Sequence, residues 1–211
     1  MKLCSVASGS SGNCIFVGSE RTSLLVDAGI SGKRTVAGVE ALDRSMQELD
    51  GILVTHEHSD HIRGLGVLAR KYKLPVYATA GTIAAIRRAN TIGKLPEGIC
   101  HEIVPDQTFT LGDMDIYPFR ISHDAAEPVG YRFGCNGRHA AVATDMGTYD
   151  QYIVDRLKGL DVLLLESNHD ERMLEVGRYP YYLKRRIAGK SGHLSNETAG
   201  KLLCEILHDG L

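Results

Sequence analysis

Four potential metal ligands lie close together in the segment Thr-His-Glu-His-Ser-Asp-His at positions 55–61. They are His56, His58, Asp60 and His61, and they follow an apolar run at 51–54. Such a run predicts a buried strand, and the loop after a strand is where open sheets usually carry their sites. Alternate residues of an extended segment point to one side, so His56, His58 and Asp60 should converge while His61 begins a helix. Imidazole and carboxylate are ligands of zinc, manganese and iron, so the segment predicts a metal site.

Two further candidate ligands follow other predicted strands. His123 comes after the segment 114–121, and Asp145 comes after the segment 139–143. Each alone is typical of a turn, but a dinuclear site needs a carboxylate that bridges two imidazole-rich halves. Two metals about 3.5–4 Å apart can hold a hydroxide nucleophile and clamp an anionic centre. The pattern therefore favours hydrolysis of a phosphoester.

Short strands and amphipathic helices must position these side chains. Strands are predicted at 3–6, 14–17, 22–26, 51–55, 75–77, 103–104, 114–121, 129–133, 139–143 and 162–165. Helices are predicted at 31–46, 62–72, 79–90, 149–157 and 199–207. The continuous apolar run at 162–165 predicts a central strand. Strands dominate the middle of the chain and helices both ends, which predicts an α+β sandwich with helices outside two packed sheets.

Composition excludes several classes of protein. The 24 Lys and Arg residues nearly balance the 26 Asp and Glu residues, so the overall charge offers no steering toward nucleic acid. Five cysteines without a Cys-x-x-Cys pair predict reduced thiols and a cytoplasmic protein. No signal-peptide core and no apolar run of about 18 residues is present, so no membrane partner is expected.

Several motifs together resemble the metallo-β-lactamase fold hydrolases. They are the heptad 55–61, the turn Asp27-Ala28-Gly29, His123 and Asp145. The segments 7–14 (Ala-Ser-Gly-Ser-Ser-Gly-Asn-Cys), 166–170 (Glu-Ser-Asn-His-Asp) and 192–197 (Gly-His-Leu-Ser-Asn-Glu) resemble the YycJ/WalJ branch. That branch is exonuclease-like and related to ribonuclease Z and the PhnP phosphodiesterases. The resemblance covers the chain and implies a single domain over 1–211, a four-layer αββα sandwich.

The resemblance also implies a site for two divalent metal ions, zinc or manganese, with iron compatible. One metal would be held by His56, His58 and His123. The second would be held by Asp60 and His61, and Asp145 would bridge the two. Relatives carry a last metal ligand on a further strand, which is expected beyond Leu211, so the domain is expected to lack its last strand here. His208 is a poor substitute because it lies at the end of the last predicted helix.

Three other side chains receive roles from the same resemblance. Asp60 would accept a proton beside the metal-bound hydroxide. Asp27 corresponds to a buried carboxylate that orients a ligand histidine, the alternative being an ordinary turn aspartate. His193 would contact the scissile phosphate or protonate the leaving oxygen, the alternative being a histidine that only flanks a helix start capped by Ser195 or Asn196. His169 is not expected to be a ligand.

The segment 178–186, Arg-Tyr-Pro-Tyr-Tyr-Leu-Lys-Arg-Arg, interleaves aromatic and basic residues. Aromatic rings can stack on unpaired bases while the cations meet phosphates. The alternative is a surface helix whose tyrosines pack inward.

The function expected from these features is that of a metal-dependent phosphodiester hydrolase, specifically a DNA exonuclease. A small-molecule or cyclic-nucleotide phosphodiesterase is one alternative, and a thioester or lactam hydrolase is another. A third alternative is a non-enzymatic partner protein with structural metals. The sequence predicts neither the oligomeric state nor which metal is used.

Overall fold

The structure, a computed structural model, describes residues 1–208 and 211. The chain divides into two compact units, one formed by residues 1–118 with 125–129 and the other by residues 119–124 with 130–211. None of the helices formed by residues 1–208 has both the length and the apolar character that a membrane span requires.

The first unit is built on a six-stranded sheet in the order β1-β2-β3-β4-β5-β6. Its strands are β1 (Lys2–Ala7), β2 (Cys14–Gly18), β3 (Ser23–Val26), β4 (Gly51–Leu53), β5 (Val76–Thr79) and β6 (Cys100–Ile103). Its helices are α1 (Gly32–Glu40), α2 (Ser59–Ile62), α3 (Leu65–Tyr72) and α4 (Ala80–Ala89), with a 3-10 turn at Met46–Glu48. β1 to β3 are antiparallel neighbours, whereas β3 to β6 run parallel. The carboxyl ends of β3 and β4 therefore lie side by side at one edge of the sheet.

One apolar core joins this sheet to its helices. The sheet contributes Phe16, Leu25 and Ile52, and the helices contribute Val39, Leu68 and Ile86. All of these side chains are buried. Burial of apolar surface stabilises the folded state by roughly 25 cal/mol per Å². Because the strands are buried in this core, their ends hold the polar loops in fixed positions.

The remaining strands form a five-stranded sheet in the order β11-β10-β9-β8-β7. They are β7 (Phe109–Leu111), β8 (Met114–Arg120), β9 (Val129–Cys135), β10 (Arg138–Ala143) and β11 (Val162–Leu165). The helices of the second unit are α5 (Gln151–Leu157), α6 (Glu171–Val176), α7 (Tyr181–Ile187) and α8 (Asn196–Ile206). β9 and β10 are antiparallel, and β10 and β11 are parallel with Ala143 opposite Leu165. Consequently the carboxyl ends of β10 and β11 meet at one edge.

Two of the predicted elements were wrong in extent or place. The helix predicted at 31–46 ends at Glu40, because Asp43 takes a left-handed φ of 58° that no α-helix continues through. The strand predicted to be central, Val162–Leu165, is an edge strand that pairs only with β10 within the described residues. Val162 is exposed. An apolar run indicates that both faces of a strand are covered, but it does not indicate whether both edges of the strand are paired.

Short elements account for further differences, among them α6 (Glu171–Val176), which the sequence analysis did not predict. Strand β7 was missed because it has three residues and ends at once in the Gly112 turn. The helix predicted at 62–72 is two helices, α2 and α3, and the first begins at Ser59. The prediction of a single domain over 1–211 stays a prediction.

Candidate active site

The ligand-rich loop follows β4 and leads into α2, with His58 at the position before the first helical residue. His56 and His61 are fully buried and His58 is partly buried. His56 Nε2 lies 3.1 Å from His58 Nδ1, so two ring nitrogens of this loop face each other. Asp60 lies within α2, not in an extended segment as the sequence predicted, and its Oδ2 is 3.7 Å from His61 Nε2.

Backbone hydrogen bonds fix this loop against two neighbouring segments. The Asn13 N–H donates to the Asp60 carbonyl at 2.7 Å, and the Ala28 N–H donates to the His61 carbonyl at 2.8 Å. The approach is so close that a Cβ at Gly29 would lie 1.6 Å from the Asp60 carbonyl oxygen. Glycine at this position therefore allows the start of α2 to reach its place beside β3.

Asp27 follows β3 directly, beside the ligand loop, and is 1% exposed. Its Oδ2 lies 2.7 Å from His61 Nδ1. The Thr55 N–H donates to Asp27 Oδ1 at 2.8 Å, and the Thr55 hydroxyl donates to Oδ2 at 2.8 Å. Its φ of 62° is one that aspartate tolerates better than most residues. This geometry favours the role of orienting His61 over that of an ordinary turn aspartate.

Thr55 links the two buried histidines of the loop, a role that sequence analysis missed. Its Oγ1 is 3.0 Å from His56 Nδ1 and 3.3 Å from His61 Nδ1. Because this hydroxyl donates to Asp27, it accepts from an Nδ1–H of His56, which leaves His56 Nε2 as the basic nitrogen. The sequence feature that could have indicated this role is the position of Thr55 between a predicted strand and the first histidine of the loop.

In the second unit, the parallel ends of β10 and β11 bring a carboxylate pair next to His193. Glu166 N–H donates to the Ala143 carbonyl at 3.0 Å. His193 Nδ1 lies 2.7 Å from Glu166 Oε1 and 3.6 Å from Asp145 Oδ1. One ligand-type atom from each of Asp145, Glu166 and His193 lies within 4.8 Å of the other two.

Glu166 is the main site residue that sequence analysis left without a role. The signal was present, because Glu166 directly follows the strand Val162–Leu165 and opens the motif at 166–170. A carboxylate directly after a strand that is parallel to the strand before Asp145 must lie near Asp145. The pairing of β10 with β11 was needed to draw that conclusion.

The charge state of His193 is set by its acidic neighbours. Burial alone lowers the pKa of His193, but the hydrogen bond and negative charge of Glu166, with the charge of Asp145, raise it above its ordinary value. The nearby Arg186 opposes this rise. The acidic neighbours thus favour the protonated, charged ring of His193.

His123 lies in the same unit and is buried. Its Nδ1 is 3.1 Å from the Gly192 carbonyl, and its ring centroid is 5.3 Å from that of His193. A histidine Nδ1–H that donates to a carbonyl fixes the tautomer in which Nε2 can bind a metal. Gly192 allows this contact, since a Cβ there would lie 2.2 Å from the carbonyl oxygens of Arg186 and Ile187.

Two further histidines and the start of α8 complete the description of this region. His169 belongs to none of the ligand-type groups found among the described residues. His208 Nε2 is 3.0 Å from the Leu160 carbonyl. Ser195 caps α8, as predicted, and accepts from the Thr198 N–H at 3.1 Å. The last ligand beyond Leu211 stays a prediction.

The aromatic and basic segment forms α7, and its tyrosines point to solvent. Tyr181 and Tyr182 are 74% and 73% exposed, so the alternative in which they pack inward is wrong. Arg186, on the same helix, makes two hydrogen bonds to Asp124, at 2.6 and 3.2 Å. Because Asp124 is the neighbour of His123 in sequence, this ion pair ties the exposed aromatic helix to a candidate ligand.

The donor set fits divalent metal ions. Neutral imidazoles and carboxylates are what zinc and manganese bind. Three of the four candidate ligand histidines have a second ring nitrogen on a fixed oxygen: His56 on the Thr55 hydroxyl, His61 on the Asp27 carboxylate and His123 on the Gly192 carbonyl. Partners of this kind are the usual support of metal-binding histidines.

Comparison with known proteins agrees with this chemistry. The profile of the Beta-lactamase superfamily domain matches residues 22–207. Exodeoxyribonuclease YycJ of Bacillus anthracis is 46% identical over 97% of this chain and 76% of that protein. Exodeoxyribonuclease WalJ of Streptococcus pneumoniae is 42% identical over 96% of this chain and 75% of that protein.

A solved structure supports the fold independently of close sequence similarity. The metallo-β-lactamase fold protein YhfI of Bacillus subtilis matches with a TM-score of 0.67 at 20% identity, over 95% of this chain and 76% of that one. The predicted metallo-β-lactamase type of fold is confirmed.

Proposed function

Because the chain belongs to the β-lactamase superfamily, and within it to the family of the exodeoxyribonucleases YycJ and WalJ, we propose that it is a metal-dependent phosphodiester hydrolase that shortens DNA from its ends. The observation that carries this proposal is the buried pair of Asp27 and His61 beside the ligand loop. A carboxylate that fixes a buried histidine in this way suits a metal site better than a solvated polar loop.

Divalent metal binding is a property of this fold family, and we propose two ions here, zinc or manganese. The proposed ligands of one ion are His56, His58 and His123. The proposed ligands of the other are Asp60 and His61, with Asp145 shared between the two. When bound, such ions supply an activated water and stabilise the charge that develops on a phosphate.

The protein's own groups would then move the protons. Asp60 accepts a proton from the attacking water. His193 donates a proton to the leaving oxygen through Nε2, because its Nδ1 is held by Glu166 at 2.7 Å. Since Glu166 and Asp145 favour the charged ring, His193 carries that proton in a larger fraction of molecules than a free histidine does. General acid catalysis of this type contributes about 10²–10⁴-fold to a rate.

The surface chemistry of α7 supports a nucleic acid substrate. Its exposed Tyr181 offers a ring face, and Lys184 and Arg185 on the same helix offer positive charge. Because the net charge of the chain is only −2, binding to a polyanion would depend on local cations of this kind.

A comparison of substrates with and without DNA ends distinguishes this proposal from the small-molecule phosphodiesterase alternative. Linear DNA, the same DNA as a covalently closed circle and a cyclic nucleotide would each be incubated with the full chain and manganese or zinc. We expect metal-dependent shortening of the linear DNA and an intact circle. Strong turnover of the cyclic nucleotide, with weak and length-independent action on DNA, would favour the small-molecule phosphodiesterase instead.

A further inference from the structure

The second unit contains a cavity of about 530 Å³, bordered by α6, α7 and the start of α8. Its wall includes His169, Glu171, Leu174, Tyr181, Lys184 and His193. This volume lies within the range of about 300–1,000 Å³ that is usual for small-molecule sites. His193, the proposed proton donor, is therefore also part of the wall of a cavity with room for a further group.

The base of this cavity is held in place by hydrogen bonds. The Ser195 hydroxyl donates to Glu171 Oε1 at 2.7 Å, and the Asn196 N–H donates to the His169 carbonyl at 2.8 Å. The Asp170 side chain caps α6 by accepting from the Met173 N–H at 2.7 Å. The wall formed by α6 and the start of α8 is thus preorganised.

The chemistry of the wall suits a flat heteroaromatic ring. Leu174 and Ala188 are apolar, and Tyr181 adds a ring face that is 74% exposed. The Arg185 guanidinium lies 6.0 Å from the centre of the Tyr181 ring. Glu171 offers carboxylate oxygens of the type that accept hydrogen bonds from exocyclic amino groups of bases.

We propose that this cavity holds one unpaired nucleobase of the DNA strand being cut, stacked on Tyr181, beside the phosphodiester that His193 serves. This inference rests on the proposed function and adds a base-binding site to it. Lys184, whose ammonium also donates to the Glu175 carbonyl, and Arg185 then offer positive charge to the phosphates on either side of the bound nucleotide. Stacking is tolerant of sequence, because every base has a ring face.

A free phosphate is a poorer match for the same cavity. Glu171 and Glu175 place two carboxylates in its wall, which offset Lys184 and Arg185. A dianion would therefore gain no net attraction from these four side chains, whereas an uncharged ring with amino groups finds acceptors and apolar surface. The charged parts of the substrate are better placed at the cationic rim on α7.

Helix α7 supplies a closely matched pair of variants. Tyr181 and Tyr182 are adjacent and almost equally exposed, but only Tyr181 lines the cavity. Steady-state cleavage of end-labelled DNA by the full chain, with manganese, would be compared for wild type, Tyr181→Ala, Tyr181→Phe and Tyr182→Ala. We expect KM to rise about tenfold for Tyr181→Ala, as a stacking contact implies. Tyr181→Phe and Tyr182→Ala should keep the wild-type KM, and kcat should change little in any of them.

A second substrate separates stacking from other contacts. An abasic nucleotide at the labelled end, placed in the first or the second position, removes the base and keeps the phosphates. One of these placements should raise the wild-type KM about tenfold and should abolish the difference between wild type and Tyr181→Ala. Equal KM values for Tyr181→Ala and Tyr182→Ala, or no effect of either abasic position on wild type, would overturn the base site. Absence of any metal-dependent DNA cleavage by wild type would instead overturn the proposed function.

Discussion

Asp27 Oδ2 lies 2.7 Å from His61 Nδ1, and neither side chain is more than 2% exposed. The pair exists because β3 and β4 run parallel, so that the residue after one strand meets the loop after the other. This bond occupies Nδ1, so that Nε2, which lies 3.1 Å from Asn13 Nδ2, is the nitrogen that would bind a metal. We therefore expect Asp27 to act on metal binding through His61.

Replacing Asp27 by asparagine should weaken metal binding without removing a ligand. The change keeps the size of the side chain and loses the charge that makes His61 a stronger base, and losses of about 10–100-fold in metal affinity are usual for such partners. Zinc binding measured by competition with a chromophoric chelator would detect it. Asp43→Asn is the control, since Asp43 also has a positive φ but is exposed. Equal zinc affinities of the two variants would contradict the orienting role.

Replacing Gly29 by alanine should displace the ligand loop. The new Cβ would meet the Asp60 carbonyl oxygen at 1.6 Å, and neither group is a flexible side chain. We expect a loss of about 3 kcal/mol or more in the free energy of unfolding, measured by urea titration. Gly200→Ala is the matched control, because Gly200 lies in α8 with no atom within 4 Å of the added Cβ. That variant should gain roughly 0.5–1 kcal/mol, and equal stabilities would count against the close approach at Gly29.

Replacing Glu166 by glutamine should lower the pKa of His193 in the metal-free protein. Burial already lowers this pKa, and the Glu166 hydrogen bond and charge are the main opposing effects that raise it. NMR titration of the imidazole protons would measure the change. Glu205→Gln, which alters an exposed carboxylate bonded to Tyr149, should leave the His193 titration unchanged. A His193 pKa that is the same in wild type and Glu166→Gln would show that this bond does not set the charge.

The same bond makes a stability contribution with a defined pH dependence. Because the pKa of His193 is raised in the folded state, the contribution is fully present below the unfolded value of about 6.5. It is lost as pH rises through the folded-state pKa. The stability difference between wild type and Glu166→Gln should therefore shrink from acidic to alkaline pH, and a difference that grows would have the wrong sign.

Much of the candidate site could be predicted because its ligands are local in sequence. His56, His58, Asp60 and His61 follow one strand, so their closeness needs no tertiary information. The types of the strands and helices around them also follow from apolar patterns. The strand predicted at 51–55 and the helix predicted at 79–90 correspond to β4 and α4. The candidate ligands that come from a single loop can therefore be identified from the sequence alone.

Contacts that depend on strand pairing could not be predicted in the same way. Glu166 reaches His193 only because β11 lies parallel to β10, and an apolar run at 162–165 does not identify its neighbour. The exposure of Tyr181 likewise depends on how α7 is attached, through Arg186 and Asp124. Sequence supplied the residue types, and the topology decided which of them meet.

The most direct test of the proposed function is cleavage of end-labelled linear DNA by the full chain with manganese, with and without a chelator. Wild type should shorten the DNA progressively from its ends, and the chelator should stop it. Asp60→Ala should lose at least about 100-fold in rate, whereas Asp115→Asn, which alters an exposed carboxylate on β8, should keep the wild-type rate. No shortening by metal-loaded wild type, or equal shortening by Asp60→Ala, would contradict a metal-dependent exonuclease.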